Sequence, residues 1–321
     1  MFDKTKSGGI TYTFDTPDTV TTVQFCPLEQ FSQLIAYGDC LRVSLGICRF
    51  QDEDSEIDGF EFEHLRDFHH GTRVTTIAWS PETSLETLPR QVKFCTAGAD
   101  SKLRLFSSDL KSEDTVTVMD GHTSYVNDVV FEPTEGQQIA SVSDDHTCRV
   151  WDLDGLQRAC FPLYSPGMSV CWHPDEPAKL MVAEKKGTIR FYDLTTHQPI
   201  MSLDAGHVTL MSADICFLDP VRIGCIANGN WMMWDSTRSS LPQENRQAHN
   251  EGGRNFRWSQ VSENLFATTG HNEVKVFHLG HSQVPVSSSL PVTAGGLSWH
   301  ATLPVCAVGG DRKVHLWMTE I

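Results

Sequence analysis

Short runs of apolar residues with two different patterns follow one another along the chain. Runs of the first kind alternate apolar and polar residues and end in an aromatic residue, often before Pro: VTTVQFCP, VTTIAWSP, VNDVVFEP, MSVCWHP and GLSWHATLP. Runs of the second kind are almost continuously apolar: LIAYG, KFCTAG, IASVS, LMVAE, IGCIAN, LFATTG and VCAVGG. A period of two is typical of a strand with one packed face. A continuous apolar run fits a strand buried on both faces, so the pattern predicts an all-β protein.

One stretch, from Asp120 to Gly155, shows the repeating unit in full: DGHTSYVNDVVFEP followed, after a short turn, by QQIASVSDDHTCRVWDLDG. It contains a Gly-His pair, three strands separated by turns, and the dipeptide Trp151-Asp152. This order resembles the WD repeat, whose unit of about 40–45 residues forms one four-stranded blade of a propeller.

Counterparts of Trp151 occur at intervals of 40 to 61 residues, and they are Leu45, Phe106, Tyr192, Trp234, Phe277 and Trp317. Seven such anchor residues predict a single seven-bladed β-propeller of the WD type over residues 1–321. The blades fall at about 17–50, 65–109, 118–155, 164–203, 206–240, 249–282 and 287–321.

A second column of residues stands six positions before each anchor: Asp39, Asp100, Asp145, Lys186, Asn228, His271 and Asp311. In the WD family this acid pairs with the His of Gly-His, which contacts a strand Ser or Thr and the anchor Trp. A buried carboxylate needs such partners. The third blade has the complete set, His122, Ser141 or Ser143, Asp145 and Trp151, and the remaining candidates for such networks are His70, Asp100, His207, Trp234, Asp311 and Trp317.

These His, Ser and Asp sets admit a catalytic interpretation, but the structural one is favoured. A propeller repeats the set in several blades, whereas an active site occurs once. We therefore predict no catalytic, cofactor-binding or metal-binding residues, no cofactor and no enzymatic activity.

The two ends of the chain are predicted to meet in the last blade. Only four residues follow Trp317, which leaves no room for a fourth strand there. The β-rich run ITYTF, residues 10–14, precedes the first blade and can supply that strand. Such pairing hides the open edges of the first and last blades.

Charge narrows the classes of partner. The chain carries 41 acidic and 25 basic residues, a formal net charge of -16, and it has no basic run. Binding to nucleic acid depends on Lys and Arg, so direct contact with DNA or RNA is not expected. No apolar stretch approaches the ~20 residues of a membrane span. We expect no direct membrane insertion, a monomer when isolated, and a protein partner with a basic surface.

The longest interval contains an acidic insertion, FQDEDSEIDGFEFEHL, with seven acidic residues between Asp52 and Glu63. Two interpretations remain open, a solvated hairpin of the first blade or a contact surface for a basic partner. Under the second, the candidate contact residues are Asp52, Glu53, Asp54, Glu56 and Asp58.

Several stretches go beyond generic WD sequence, above all SPGMSVCWHP and SENLFATTG. Together with FHHGTRVTTIAWSPET, LMVAEKKGTIRFYDL and GLSWHATLP, they resemble the thirty-seven-kilodalton WD-repeat nucleoporins of the Y-shaped nuclear pore scaffold complex. The resemblance runs from about Ile10 to Ile321.

The resemblance implies a non-catalytic scaffold subunit of the pore's outer ring, in the nucleus and at kinetochores in mitosis. It implies roles in pore assembly, in mRNA and protein transport and in cell division. The expected partners are other nucleoporins, chiefly the large subunit with a propeller and a helical solenoid in the short arm of the Y.

The alternative is a WD-repeat substrate receptor of a ubiquitin ligase, or another WD adaptor. Such receptors often carry the motif Trp-Asp-x-Arg, in which one residue separates Asp from Arg. Here two residues separate Asp235 from Arg238, so Trp234-Asp235 does not match the motif.

Overall fold

The computed structural model describes residues 11–51, 59–86, 90–206, 208–280, 286–289 and 295–319, and of 286–289 the backbone alone. Within these ranges the regular structure is β-strand, apart from one short 3-10 helix at Glu29–Phe31. No helix in this part of the chain has the length and apolar character needed to span a bilayer.

The strands form seven antiparallel sheets of four strands each, within the described ranges. In chain order they are β1 Tyr12–Asp15, β2 Thr22–Phe25, β3 Leu34–Gly38, β4 Arg42–Phe50, β5 Phe60–His69, β6 Val74–Trp79, β7 Val92–Gly98, β8 Leu103–Ser108, β9 Thr115–Met119, β10 Val126–Phe131, β11 Gln138–Ser143, β12 Thr147–Asp152, β13 Gln157–Pro162, β14 Gly167–Trp172, β15 Lys179–Glu184, β16 Thr188–Asp193, β17 Gln198–Asp204, β18 Leu210–Ile215, β19 Arg222–Ala227, β20 Asn230–Asp235, β21 Glu244–Gln247, β22 Asn255–Trp258, β23 Leu265–Thr269, β24 Glu273–His278, β25 Val286–Ser289, β26 Gly295–Trp299, β27 Val305–Gly309 and β28 Lys313–Met318.

Each sheet is one blade of a closed ring. Blade one is β2-β3-β4-β5, blades two to six continue in the same way, and blade seven is β26-β27-β28-β1. The innermost strands of successive blades contact one another all round, and β26 of blade seven contacts β2 of blade one. The prediction of a seven-bladed WD-type propeller is therefore confirmed.

Closure follows the predicted route. The N-terminal strand β1 pairs with β28 antiparallel, with Tyr12 opposite Leu316 and Asp15 opposite Lys313. The strand covers Tyr12–Asp15 rather than residues 10–14, and Ile10 lies outside the described residues. The edge that β28 would otherwise expose is thus covered by the start of the same chain.

The sheets divide the chain differently from the repeat-based ranges, because the fourth strand of a blade follows its anchor residue. The first sheet, for example, runs on through β5 to His69, past the range 17–50. The sequence run FEFEHLRDFH therefore belongs to the outer edge of blade one.

The apolar core is divided among the gaps between blades. Seven clusters of buried side chains each join residues of two adjacent blades. Trp234, for instance, packs with Met181 and Phe191 of the preceding blade and is fully buried. Each blade is therefore stabilised chiefly by its neighbours, since one sheet cannot bury both of its own faces.

Polar side chains on the innermost strands also link successive blades. Asp128 Oδ2 accepts a hydrogen bond from the Val170 N–H at 3.2 Å, and Asp214 Oδ2 accepts one from the Trp258 N–H at 2.9 Å. Across the junction of the last and first blades, Ser298 Oγ accepts a hydrogen bond from the Phe25 N–H at 2.9 Å. These bonds satisfy main-chain groups on strands that have no ladder partner on the channel side.

Candidate functional site

The complete histidine network of blade three is present. His122 precedes β10, and its Nδ1 lies 2.8 Å from Asp145 Oδ2 while its Nε2 lies 2.8 Å from Ser141 Oγ. Trp151 Nε1 donates to the same Ser141 Oγ at 2.9 Å. With a neutral imidazole, Nδ1–H donates to the carboxylate and the Ser141 hydroxyl donates to Nε2, so every polar atom along the path has a partner.

The pKa shifts agree with this arrangement. Burial lowers the pKa of His122 and outweighs the opposing hydrogen bond with Asp145. Burial pushes the pKa of Asp145 upward, but hydrogen bonds from Thr147, His122 and the Thr123 N–H outweigh it and bring the pKa to about 2. At neutral pH the network therefore holds a neutral imidazole beside an ionised carboxylate.

Ser143, the other serine candidate of blade three, lies outside this chain of bonds. Its Oγ donates to the Ser124 carbonyl at 3.1 Å and accepts from the Asp145 N–H at 3.0 Å. It therefore fixes the turn before β12, while Ser141 joins His122 to Trp151.

Blade two brings His70 and Asp100 near each other without a hydrogen bond between them. His70 Nδ1 lies 2.9 Å from the Thr72 carbonyl, and its Nε2 lies 3.0 Å from Thr96 Oγ1. The Asp100 carboxylate instead receives two hydrogen bonds from the guanidinium of Arg104. The side chain of the anchor Phe106 has no N–H to donate, unlike the indole of Trp151, so the network of blade two lacks this last hydrogen bond.

Blade six contains a second complete His-acid-hydroxyl set, which the column of residues six positions before the anchors misses. His249 Nδ1 lies 2.7 Å from Glu273 Oε1, and its Nε2 lies 2.9 Å from Thr268 Oγ1. The acid stands two residues later than the column position His271 and is a Glu. The spacing between the His and the hydroxyl residue does identify this set, because His249 and Thr268 are 19 residues apart, as are His122 and Ser141.

Blade four uses a buried carboxylate where both the His and the column Asp are missing. Glu184 ends β15, and its Oε2 accepts hydrogen bonds from the N–H groups of Tyr164 and Ser165. Its Oε1 is bonded to Arg190, whose guanidinium lies 4.2 Å from the ring centre of Tyr164.

The remaining candidates for the network are spread over other blades. Trp234 Nε1 donates to the Ser240 carbonyl at 3.1 Å, and Asp311 accepts from Thr19 Oγ1 at 3.0 Å. Trp317 is buried in the gap between blades six and seven. His207 lies outside the described residues.

In blade one the anchor position is one residue later than the predicted Leu45. In blades two and three the anchor lies three residues after the start of the paired part of the third strand, and this position in blade one is Gly46 rather than Leu45. A Cβ on Gly46 would come within 2.3 Å of the Phe62 ring. Phe62, from the outer strand β5, therefore fills the space that an anchor side chain takes in the other blades.

The same hairpin secures the closing strand. Phe14 of β1 stacks on Phe62 with ring centres 3.8 Å apart, and Tyr12 stacks on Phe60 at 5.3 Å. Glu61 and Glu63 are exposed and pair with Arg49. The described part of the insertion thus packs onto the fold, while the candidate contacts Asp52, Glu53, Asp54, Glu56 and Asp58 lie outside the described residues.

The geometry of the His-Ser-Asp set does not suit nucleophilic chemistry. Ser141 has no exposed surface, and its hydroxyl oxygen is occupied by both Trp151 and His122. A substrate carbonyl needs open space about 3 Å from a nucleophile. Within the described ranges no three His, Cys, Asp or Glu side chains are grouped so that they could hold a metal ion.

The loop between β18 and β19 exposes large apolar side chains. Phe217, Leu218 and Val221 have exposed fractions of 61%, 46% and 36%, and they lie within five residues of one another. We name these three residues the blade-five patch. Asp219, between Leu218 and Val221 in sequence, pairs with Arg222. Asp235 pairs with Arg238 and precedes Ser236, whose N–H donates to the Val221 carbonyl. A group of large apolar side chains on a surface loop is typical of a site for a protein partner.

Replacement of His122 by Ala is expected to lower the free energy of unfolding by about 2–4 kcal/mol, because Asp145 and Ser141 would keep buried polar atoms without a partner. Thermal or urea unfolding measures the effect, and Thr123→Ala, an exposed neighbour, is the control. Partner binding by the folded variant should persist. Loss of binding at unchanged stability would mean that His122 acts in recognition.

Stability is expected to fall as the pH drops from 7.5 to 5. Burial lowers the pKa of His70 and of His300 to about 4, and those of His122 and His249 are lowered too. In the unfolded chain these histidines become protonated near pH 6.5, whereas in the folded chain they become protonated only at lower pH. Unfolding is therefore favoured below pH 6.5. His70 and His300 should each contribute a loss of about 1–2 kcal/mol at pH 5.

Urea unfolding at pH 7.5 and 5.0 measures this loss, and His300→Asn provides the comparison. His300 Nδ1 accepts hydrogen bonds from the Thr302 and Leu303 N–H groups, which an Asn oxygen can replace without titrating. The variant should show a shallower pH dependence. A slope equal to that of the unaltered chain would exclude His300 as a source of acid sensitivity.

The closed ring of seven four-stranded blades, with a His-Ser-Asp-Trp network in blade three, defines a WD-repeat β-propeller. The family model "WD domain, G-beta repeat" matches residues 62–107 and 113–152. The chain is 54% identical to Nucleoporin Nup37 of Mus musculus and 52% identical to that of Homo sapiens, each over 97% of both chains. Nucleoporin Nup37 of Drosophila melanogaster is 34% identical over 95% of both chains. The chain belongs to the Nup37 family of nucleoporins.

Proposed function

We propose that this chain is a non-catalytic scaffold subunit of the nuclear pore complex, in the Y-shaped subcomplex of the outer ring. The observation that carries the proposal is its similarity to nucleoporins along nearly the whole chain, at 52–54% identity to the mammalian relatives. The similarity extends over 97% of both chains.

The proposed direct partner is the large subunit of the short arm, which joins a propeller to a helical solenoid. A rigid ring suits this role, because its loops present fixed surfaces to several neighbours at once. Through this assembly the chain supports pore formation and the transport of mRNA and protein, at the nuclear pore in interphase and at kinetochores in mitosis.

The blade-five patch is the surface that we propose for contact with this partner. Interfaces are organised around a few well-buried apolar or aromatic anchors, and Phe217 and Leu218 are large side chains that now face solvent. The overall net charge of -16 favours a partner with basic residues around the apolar centre. Steering by charge would raise the rate of encounter, and the apolar contacts would hold the complex.

The double variant Phe217→Ser, Leu218→Ser is expected to weaken binding to the large subunit at least about 100-fold, since loss of an anchor residue often costs about 2 kcal/mol or more. The two proteins are co-expressed, and complex formation is followed by size-exclusion chromatography and calorimetry. Leu156→Ser is the control, because Leu156 is 58% exposed on a turn of blade three.

Two results would count against this part of the proposal. If the double variant bound as tightly as the unaltered chain, the blade-five patch would not be the contact. If the unaltered chain itself failed to bind the large subunit, the choice of partner would be wrong. Melting temperatures of both variants, measured in parallel, separate lost binding from lost folding.

A further inference from the structure

A cavity of about 500 Å³ runs along the axis of the ring. It is lined by residues of all seven innermost strands, so it is the central channel of the propeller. Pockets of about 300–1,000 Å³ are typical for small ligands. Hydroxyl and amide side chains make up much of the wall, including Thr22, Thr76, Ser212 and Asn255.

The charge of this channel differs from that of the whole chain. Three arginines line it, Arg73, Arg254 and Arg257, against one carboxylate, that of Asp128. The chain as a whole has 41 acidic and 25 basic residues. The excess of positive charge within the channel is therefore local, and low-dielectric walls concentrate its field.

Arg257 is held within the wall. Its Nη1 donates to Ser212 Oγ at 3.1 Å and to the Phe256 carbonyl at 3.0 Å, while its Nη2 lies 3.7 Å from Asp128 Oδ2. The Asp128 side chain also accepts hydrogen bonds from two main-chain N–H groups. The Arg257–Asp128 pair is therefore held in a fixed position in the wall, and its two charges largely neutralise each other.

Arg73 and Arg254 differ from Arg257 because their guanidinium groups are available. Each lies directly before an innermost strand, β6 or β22, at the end of the channel that the loops between blades surround. Both side chains are exposed, and neither forms an ion pair with a carboxylate in the part of the chain that the structure describes. The polar contact of Arg254 is with His271, at 3.5 Å.

We infer that the mouth of the central channel binds a compact polyphosphate anion between Arg73 and Arg254. A guanidinium donates two parallel hydrogen bonds to one phosphate, which makes arginine the preferred residue for such recognition. Two arginines on one cavity, neither of them ion-paired with a carboxylate among the described residues, suit a ligand with at least two phosphate groups. The innermost strands around the channel admit a compact anion, and the hydroxyl groups further inside the channel complete its hydrogen bonds.

Isothermal titration calorimetry of the full chain with sodium tripolyphosphate and with inositol hexakisphosphate tests this inference. We expect saturable binding at one site, weakened by raising the salt concentration. The variant Arg73→Gln, Arg254→Gln should bind at least about tenfold more weakly, since a charge-assisted hydrogen bond contributes about that factor or more. The single variant Arg73→Gln should show part of this loss.

The matched control is Arg90→Gln, Lys111→Gln, which removes the same charge from loops at the opposite end of blade two. It should bind both probes like the unaltered chain. Absence of saturable binding, or equal weakening in the two double variants, would overturn the inference. So would a Glu-rich peptide that displaces tripolyphosphate at lower concentration, because the site would then recognise an acidic segment of a protein. Failure of the proposed pore assembly would leave this result unaffected.

Discussion

Deletion of residues 1–15 is expected to destroy the cooperative folding of the whole ring at 37 °C. The deletion removes β1, leaves the edge of β28 unpaired from Lys313 to Leu316, and empties the space that Phe14 fills between blades seven and one. Substitution of a buried Phe by Ala alone costs about 3–5 kcal/mol, and the deletion adds the loss of the strand pairing. Circular dichroism during heating measures the effect.

Two point variants of the same strand give the matched comparison. Phe14→Ala should lower the melting temperature clearly, because the ring stacks on Phe62 and is 7% exposed. Thr13→Ala should change it little, since Thr13 is exposed on the other face of the strand. A truncated chain that melts at the temperature of the intact chain would exclude closure by the N-terminal strand.

Replacement of Arg257 by Met is expected to cost about 2–4 kcal/mol of stability. The Asp128 carboxylate lies 3.7 Å from Arg257, and Asp214 also interacts with it electrostatically. Burial raises the pKa of Asp128 and of Asp214 although Arg257 acts in the opposite direction. Removing one partner of a buried ion pair commonly costs about 3–5 kcal/mol. The lower value is expected here because Arg257 lines the channel and its side chain is 28% exposed.

Neutralising the two carboxylates should reverse part of this loss. We expect Asp128→Asn, Asp214→Asn to recover stability in the Arg257→Met background, although the same pair lowers stability in the unaltered chain. Arg254→Met, an exposed arginine of the same cavity, is the control and should change stability by less than about 0.5 kcal/mol. If Arg257→Met unfolded at the same urea concentration as the intact chain, the charge balance argued for the channel wall would be wrong.

Much of the fold follows from the sequence because a propeller repeats one local pattern. Anchor residues such as Trp151 and Trp317 recur at blade spacing, and the β-rich run before the first blade forms the strand β1 that pairs with β28. Each of these inferences rests on the alternation of apolar and polar residues within a strand and on the length of one blade. Both are local properties of the sequence.

The features that the sequence pattern does not reveal depend on contacts between residues of different strands. In blade one the anchor position holds Gly46, and the ring that fills the space comes from Phe62 on the next strand. In blade six the acid is Glu273, whose longer side chain reaches His249 from a position two residues beyond the expected one. A search at a fixed spacing from the anchor finds neither Phe62 nor Glu273. Each of these side chains fills a space that, in the other blades, is filled from a different sequence position.

The channel arginines illustrate the same limit. Arg73 and Arg254 are 181 residues apart in sequence and do not form a basic run. The curvature of the ring places them on one cavity. The strongly negative total charge, which predicts that nucleic acid is not a partner, therefore conceals a local site of opposite charge.

We propose that the chain works by assembling into the scaffold of the nuclear pore. The most direct test of this proposal is purification of the tagged full chain from cells under mild conditions, followed by mass spectrometry of the proteins that co-elute in stoichiometric amounts. We predict nucleoporins, with the large propeller and solenoid subunit foremost among them. Stoichiometric recovery of a ubiquitin-ligase adaptor without nucleoporins would contradict the account.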